Sequence, residues 1–368
     1  MNKTKQPLFH IVKRGETPWY FSWCVRAAAI VLALLCCGLI STLVTSENPI
    51  QIFATIVDGS FGSVRKFMVL LQNTAMLLCI ALALTPAFKM RFWNIGGEGQ
   101  ALAGALAAAA CMILMKDQPT AVVLLCMVVT SLLAGAVWGA IPAYFKAKFG
   151  TNETLFTLMM NYVATQLVAY FSVVWENPKG SGNIGVINPK TMVGWFPEVL
   201  GNKYALNIII VALVTVGMYI YLNYSKHGYE ISVVGESERT ARYVGIKVEK
   251  IIIRTMLISG AICGLAGLLL VGGTNHTLNA AIVDGRGFTA VMVSWLGKFN
   301  PIWMILTSFL LVFLGRGAGE IATDFGLNSS FGDILTGIIL FFIIGCEFFI
   351  NYKISLTKSS KKEENEHA

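Results

Sequence analysis

Three short stretches place polar side chains inside otherwise apolar surroundings. Phe92–Gly104 reads FWNIGGEGQALAG, so Asn94, Glu98 and Gln100 lie among glycines at 96, 97, 99 and 104. A carboxylate at the edge of an apolar run is costly without a partner or water, which makes it a site by default. The glycines permit close helix approach and a broken helix start. Glu98 has a second reading, as a cap at the positive end of its own helix. Asn152–Tyr162 reads NETLFTLMMNY, with Thr154, Thr157 and Asn161 on one helical face. Asn161 either lines a pathway or hydrogen-bonds two helices together. Gly272–Gly287 reads GGTNHTLNAAIVDGRG. Its His276 is a ligand, a proton carrier or an ordinary hydrogen-bonded loop residue. Asn94, Glu98, Gln100, Asn161 and His276 are therefore the candidate lining of a substrate pathway.

Bond-making chemistry finds no such foothold. No GxxxxGK[ST] is present, so the sequence offers no P-loop for ATP. GGEGQALAG follows no strand and belongs to no βαβ unit, so it is not a dinucleotide loop. No HExxH, nucleophile–base pair or paired carboxylates stand out, and no catalytic residue, metal site or cofactor is expected. The eight cysteines all fall in apolar runs without a CxxC, and read as free thiols packing like small hydrophobes.

The elements that must hold these groups are membrane helices. The chain has 368 residues, of which 55% are hydrophobic and 13% charged, with a mean hydropathy of +0.67. Soluble domains carry about 25% charged residues. Repeated apolar runs of about 20 residues predict an all-α polytopic membrane protein. Spans are expected near 24–44, 68–87, 96–115, 120–141, 154–174, 205–224, 251–271, 288–297, 301–315 and 331–351. The run at 288–297 is too short to cross alone. An amphipathic interfacial helix is expected within 45–67. The formal charge is +8, but the Lys and Arg recur between apolar segments as topology signals do, not as a nucleic-acid patch. The runs give about ten passes, and the bias predicts both termini inside. Residues 1–23 then form a cytoplasmic segment, 24–351 the membrane domain, and 352–368 a charged cytoplasmic tail. Two glycine-interrupted short segments, at 92–104 and 272–297, fit a transporter with a pseudo-repeat and a midplane site.

One inner loop, 225–254, is a polar island. ISVV ahead of Gly235 looks extended, and GESERTARYVG reads as one short helix from Gly235 to Gly245. Ser237 caps it, Glu236 and Glu238 sit at its positive end, Arg239 and Arg242 toward its negative end, and Gly245 stops it. Ser237, Ala241 and Val244 make a small-residue face, which suits either docking to a partner or resting on the lipid surface.

Five strings in order resemble a known family: FWNIGGEGQ, NETLFTLMMNYVA, VVGESERTARYVGI, SGAICGLAGLLLVGG and GRGFTAVMVSWLGKFNPIWMI. They resemble the permease subunits of bacterial ABC importers in the branched-chain and simple-sugar superfamily, closest to the nucleoside-type permeases, from about residue 65 to 350. The resemblance implies a second homologous permease subunit, two cytoplasmic ABC ATPase subunits that carry the ATP, and an outer solute-binding lipoprotein. It implies that Gly235–Gly245 carries the coupling helix, with Gly235, Glu236, Arg239, Ala241, Arg242 and Gly245 at the ATPase contact, and that Asn94–Gln100 lies near the translocation path. The expected function is ATP-driven import of a nucleoside or a related small solute across the cell membrane. The alternative is an ion-coupled secondary transporter using Glu98 or His276.

Overall fold

The computed structural model describes residues 9–15, 18–45, 48–199 and 201–356. They form thirteen α-helices, one π-helical turn and one strand pair, in two compact units. Residues 357–368, the charged end of the expected tail, lie outside the described residues.

One unit comprises the chain up to Gly62 and from Leu314 onward. It holds β1 (Phe9–Lys13), α1 (Trp19–Thr45), α2 (Pro49–Phe61), the last part of α12 (Pro301–Asp324), α13 (Ser329–Asn351) and β2 (Tyr352–Leu356). Asn48 caps α2 by accepting from the Ile50 N–H, and Pro49 supplies a first-turn residue that needs no N–H partner. This helix is shorter than the interfacial segment expected at 45–67. Its Ile52 and Ile56 are buried, with Ile56 against Gly317 of α12, so it is packed into protein. The strands were not anticipated. β1 and β2 pair antiparallel from Phe9↔Leu356 to Lys13↔Tyr352. That pairing, with the 2.6 Å ion pair of Arg26 and Glu347, sets the start of α1 and the end of α13 at the same end of the unit.

The other unit, Ser63–Phe313, carries every candidate pathway residue. It contains α3 (Val64–Lys89), α4 (Gly97–Leu114), α5 (Thr120–Phe149), α6 (Glu153–Val174), α7 (Ala205–Tyr224), α8 (Lys226–Glu236), α9 (Glu238–Tyr243), α10 (Val248–Leu270), the π turn Val271–Asn275, α11 (Arg286–Leu296) and the first part of α12. α3 and α10 are its buried centre; the flanking helices turn broad apolar faces outward. The small residues of SGAICGLAG explain the close packing of α10. A methyl group on Gly264 would strike the Ser131 carbonyl of α5, and Gly104 of α4 lies against Gly264 itself. Helices in lipid associate by such backbone approach, since burying apolar surface there brings no gain over the lipid.

Nine helices among the described residues are long and apolar enough to cross a membrane, in line with the expected count of about ten. The expected span at 288–297 is α11, whose 11 residues reach only about 16 Å at 1.5 Å per residue, half of a ~30 Å hydrocarbon core. Non-helical chain at 276–285 precedes it. The ISVV run is corrected too: it lies inside α8, with Ile231 and Val234 buried three residues apart on one helical face.

Candidate functional site

α4 and α11 both begin inside the unit and meet start to start. Gly97 packs on Ile80 and Leu84 of α3, five to nine residues before that helix ends. The chain at 90–96 therefore turns back into the protein before α4 begins. Gly287, in the first turn of α11, lies against the backbone of Glu98; a Cβ there would overlap the Glu98 nitrogen, so only glycine fits. The first N–H groups of a helix have no partner within it. At this joint Glu98 supplies one for the other helix: Oε1 accepts from the Gly285 N–H at 3.0 Å and Oε2 from the Gly287 N–H at 2.7 Å. Glu98 is thus a cap, as one reading allowed, but of α11 and not of α4. The joint lies at the middle of α3. Arg286 reaches Asn73 at 3.5 Å on one side, and the neighbouring Gly97 abuts Ile80 on the other.

The remaining amides knit the same joint. The Asn94 Nδ2 donates to Ser259 of α10 at 3.2 Å, and its Oδ1 accepts from the Gly96 N–H at 3.0 Å and from Gln100 at 3.2 Å. Asn161 of α6 accepts from the Gly99 N–H and donates to the Ile95 carbonyl, both at 2.9 Å. Thr157 accepts from the Ile95 N–H at 3.2 Å. Asn94, Glu98, Gln100 and Asn161 are all buried. Asn94, Glu98 and Asn161 satisfy irregular backbone that would otherwise stand unpaired in a membrane, and Gln100 bonds the Asn94 side chain. Sequence reasoning found the four residues, but Ser259, Gly285 and Gly287 escaped it. The GRG ahead of an apolar run was the available signal for the last two.

His276 lies apart from this joint. Its ring stacks on Trp195 of the 175–204 segment, with centroids 3.8 Å apart and planes 3° from parallel. Its carbonyl accepts from the Ile187 N–H at 2.7 Å. Burial, and then the nearby Lys203, push its pKa below the ordinary imidazole value, so it is neutral at neutral pH. Next to it, Thr274 in the π turn accepts from Gln72 of α3 at 2.8 Å and from Asn207 of α7 at 3.0 Å.

At the opposite end of α3, α8 and α9 form the polar island. Ser237 caps α9 by accepting from the Thr240 N–H at 3.2 Å, and Gly245 follows with φ +84°. The expected outward small-residue face is corrected. Ala241 is fully buried in a cluster with Ala87, Met90, Phe92, Ala143, Ile231 and Val234. Gly235 is buried against the Lys89 carbonyl at the end of α3. The two small residues admit the chain's own core. The outward side holds Glu236, Glu238, Arg239, Arg242, Val244 and Gly245, with Tyr243 92% exposed. Arg242 pairs with Glu249 at 2.7 Å.

A multi-pass helical protein with two helices starting at mid-membrane, around a fully paired polar joint, is the membrane domain of a solute transporter. Residues 67–344 match the family described as the branched-chain amino acid transport system permease component, and the chain belongs to that family. It is 31% identical over 324 residues to the guanosine ABC transporter permease protein NupP of Bacillus subtilis (strain 168), covering 87% of this chain and 92% of NupP. It is 28% identical to the nucleoside ABC transporter permease protein NupB of Lactococcus lactis subsp. cremoris, over 92% of this chain and 95% of NupB. To the glucose ABC transporter permease protein TsgB13 of Haloferax volcanii it is 26% identical, over 89% of this chain and 88% of TsgB13. The chain is a multi-pass cell-membrane permease subunit of an ABC importer and not an enzyme. The ion-coupled alternative falls with this membership.

Proposed function

We propose that this chain moves nucleosides into the cell as one of two permease subunits. In this reading two ABC ATPase subunits drive it from the cytoplasm and a solute-binding lipoprotein supplies it from outside. The substrate rests on the similarity, over most of both chains, to proteins named for guanosine and for nucleosides.

The drive rests on how α9 is mounted. Ala241 on its inner side joins the core around the end of α3 and the start of α10, while Tyr243 stands on its outer side almost free of contact. A displacement of α9 is thereby passed to the two central helices. Exposed aromatic residues are the side chains that most often anchor an interface. Arg239, exposed beside Tyr243, supplies charge complementary to acidic groups on an ATPase.

The test is guanosine uptake by the assembled transporter, with glucose as competitor. Tyr243→Ala should lower uptake and solute-stimulated ATP hydrolysis at least tenfold at unchanged membrane levels. Ala241→Leu is the poorer probe, because it would overfill the permease core. Full coupling in Tyr243→Ala would overturn the docking assignment. Uptake of glucose but not guanosine would overturn the substrate.

A further inference from the structure

We infer that residues 279–288 line the translocation passage at the middle of the membrane, with Asp284 as the carboxylate that receives the hydroxyl groups of the passing solute. Arg286 reaches Asn73, and Gly287 lies on Glu98 next to Gly97, which abuts Ile80. Residues 284–287 are therefore level with the stretch of α3 between Asn73 and Ile80, and that stretch includes the middle of a 26-residue membrane helix.

The Asp284 side chain is 78% exposed, and Asn279, Ala281 and Gly285 are exposed with it. The backbone here is irregular, with φ +58° at Asp284 and +67° at Gly285. Hydrocarbon cannot cover such a segment. Non-helical backbone at membrane depth occurs only where protein buries it or where it lines a water-filled cavity. A carboxylate facing lipid at that depth is strongly disfavoured. Asp284 has a guanidinium nearby, Arg286 at 3.8 Å, but that group also donates toward Asn73 and Val283 and lies beside Glu98. Asp284 therefore keeps free acceptor capacity toward the open side.

The composition of this surface defines what it would accept. Asp284 is far more exposed than Arg286, at 78% against 19%, which leaves acidic character on the open side and disfavours phosphorylated solutes. Phe288 and Trp295 are about half exposed and seven residues apart on α11, so they share its open face. Trp295 stacks on the exposed Trp93 with centroids 5.4 Å apart. A carboxylate that accepts hydroxyl hydrogens, followed by aromatic faces, suits an uncharged solute with a sugar and a planar base. That last step rests on the nucleoside reading; the passage itself does not.

The experiment uses the assembled transporter in inverted and right-side-out vesicles. Asn279→Cys, Asp284→Cys and, as a lipid-facing control, Leu213→Cys on α7 are treated with a charged, membrane-impermeant methanethiosulfonate. The unmodified chain gives the background from its native cysteines. The passage predicts that positions 279 and 284 react at least tenfold faster than 213, and that saturating guanosine slows position 284. Reaction at 284 no faster than at 213 overturns the passage, as does spontaneous disulfide formation between 284 and a second permease subunit. Rapid reaction slowed by glucose but not by guanosine keeps the passage and overturns only the nucleoside reading. Asp284→Asn, which preserves shape, should lower guanosine uptake at least tenfold at normal membrane levels; unchanged uptake overturns the assigned role of the carboxylate.

Discussion

Glu98 separates two accounts of the mid-membrane joint, because a substrate ligand and a cap fail differently when removed. Its two oxygens accept from Gly285 and Gly287 at 3.0 and 2.7 Å. Hydrogen bonds to charged groups contribute about 1.5–3 kcal/mol each, so Glu98→Ala should cost roughly 3–6 kcal/mol. Glu98→Gln keeps one acceptor as a neutral bond worth about 1 kcal/mol, and turns a donor toward the other N–H. Its cost should be about 2–5 kcal/mol. At about 2–4 °C per kcal/mol for a domain of 150–250 residues, Ala should lower the melting temperature by on the order of 10 °C and Gln by less. The assay is thermal unfolding of the purified permease in detergent, followed by loss of the monodisperse peak, alongside guanosine uptake in membranes. Capping predicts graded melting, wild type above Gln above Ala, with uptake falling in the same order. An Ala variant that melts like wild type yet transports nothing would refute the capping account and return Glu98 to the solute.

Two further outcomes follow from the geometry. Gly264→Ala should destabilise the protein by about 1–3 kcal/mol, seen in the same melting assay, because the new methyl meets the Ser131 carbonyl and neither backbone can yield. In the 175–204 segment, Glu176 accepts from the Gly180 and Gly182 N–H groups at 2.7 and 3.0 Å, and these bonds hold its pKa below the ordinary carboxylate value. A depressed pKa contributes stability above the unfolded value of about 4.3, which is lost as pH falls through the folded value. Protection of the Gly180 and Gly182 amides in hydrogen exchange should therefore be constant from pH 8 to 5 and disappear only in stronger acid. Glu176→Gln should lack the pH-dependent part at every pH.

Hydropathy made the membrane class and most spans legible, since nine of the helices are long apolar runs. The half-length of α11 was also visible, as an apolar run closed by GRG and GKFNP. What escaped was direction. Ala241 read as part of a small-residue face for a partner or the lipid surface, and the resemblance put Gly235 at a partner contact, because a small residue looks the same whether the backbone it admits belongs to another chain or to its own. Only the position of Lys89 and Ala87 decides this, and no local pattern encodes it. ISVV misled for a related reason. β-branched residues favour strands on propensity, but Ile231 and Val234 three residues apart could be buried together only in a helix. Asn94, Glu98, Gln100 and Asn161 were found because polar groups in apolar runs are conspicuous. Their task was not readable, because their partners are scattered along the chain, up to 189 residues away.

The same joint explains why the expected pathway residues and the exposed surface differ. Every helix start leaves N–H groups without partners, and in a membrane each must be satisfied within the protein. Two helices starting at mid-membrane double that demand. Glu98, Asn94, Asn161 and Thr157 meet it by bonding Gly285, Gly287, Ile95, Gly96 and Gly99, and Gln100 holds Asn94 in place. Side chains so engaged cannot also release and rebind a solute without stranding the backbone they hold. The proposed passage therefore places the solute on groups that the joint carries but does not consume. Asp284 and the open face of α11 are held in place by the paired residues beside them. The two glycine-broken segments do meet at mid-membrane; in the proposed passage these breaks are the rigid support, and the surface for the solute lies against it.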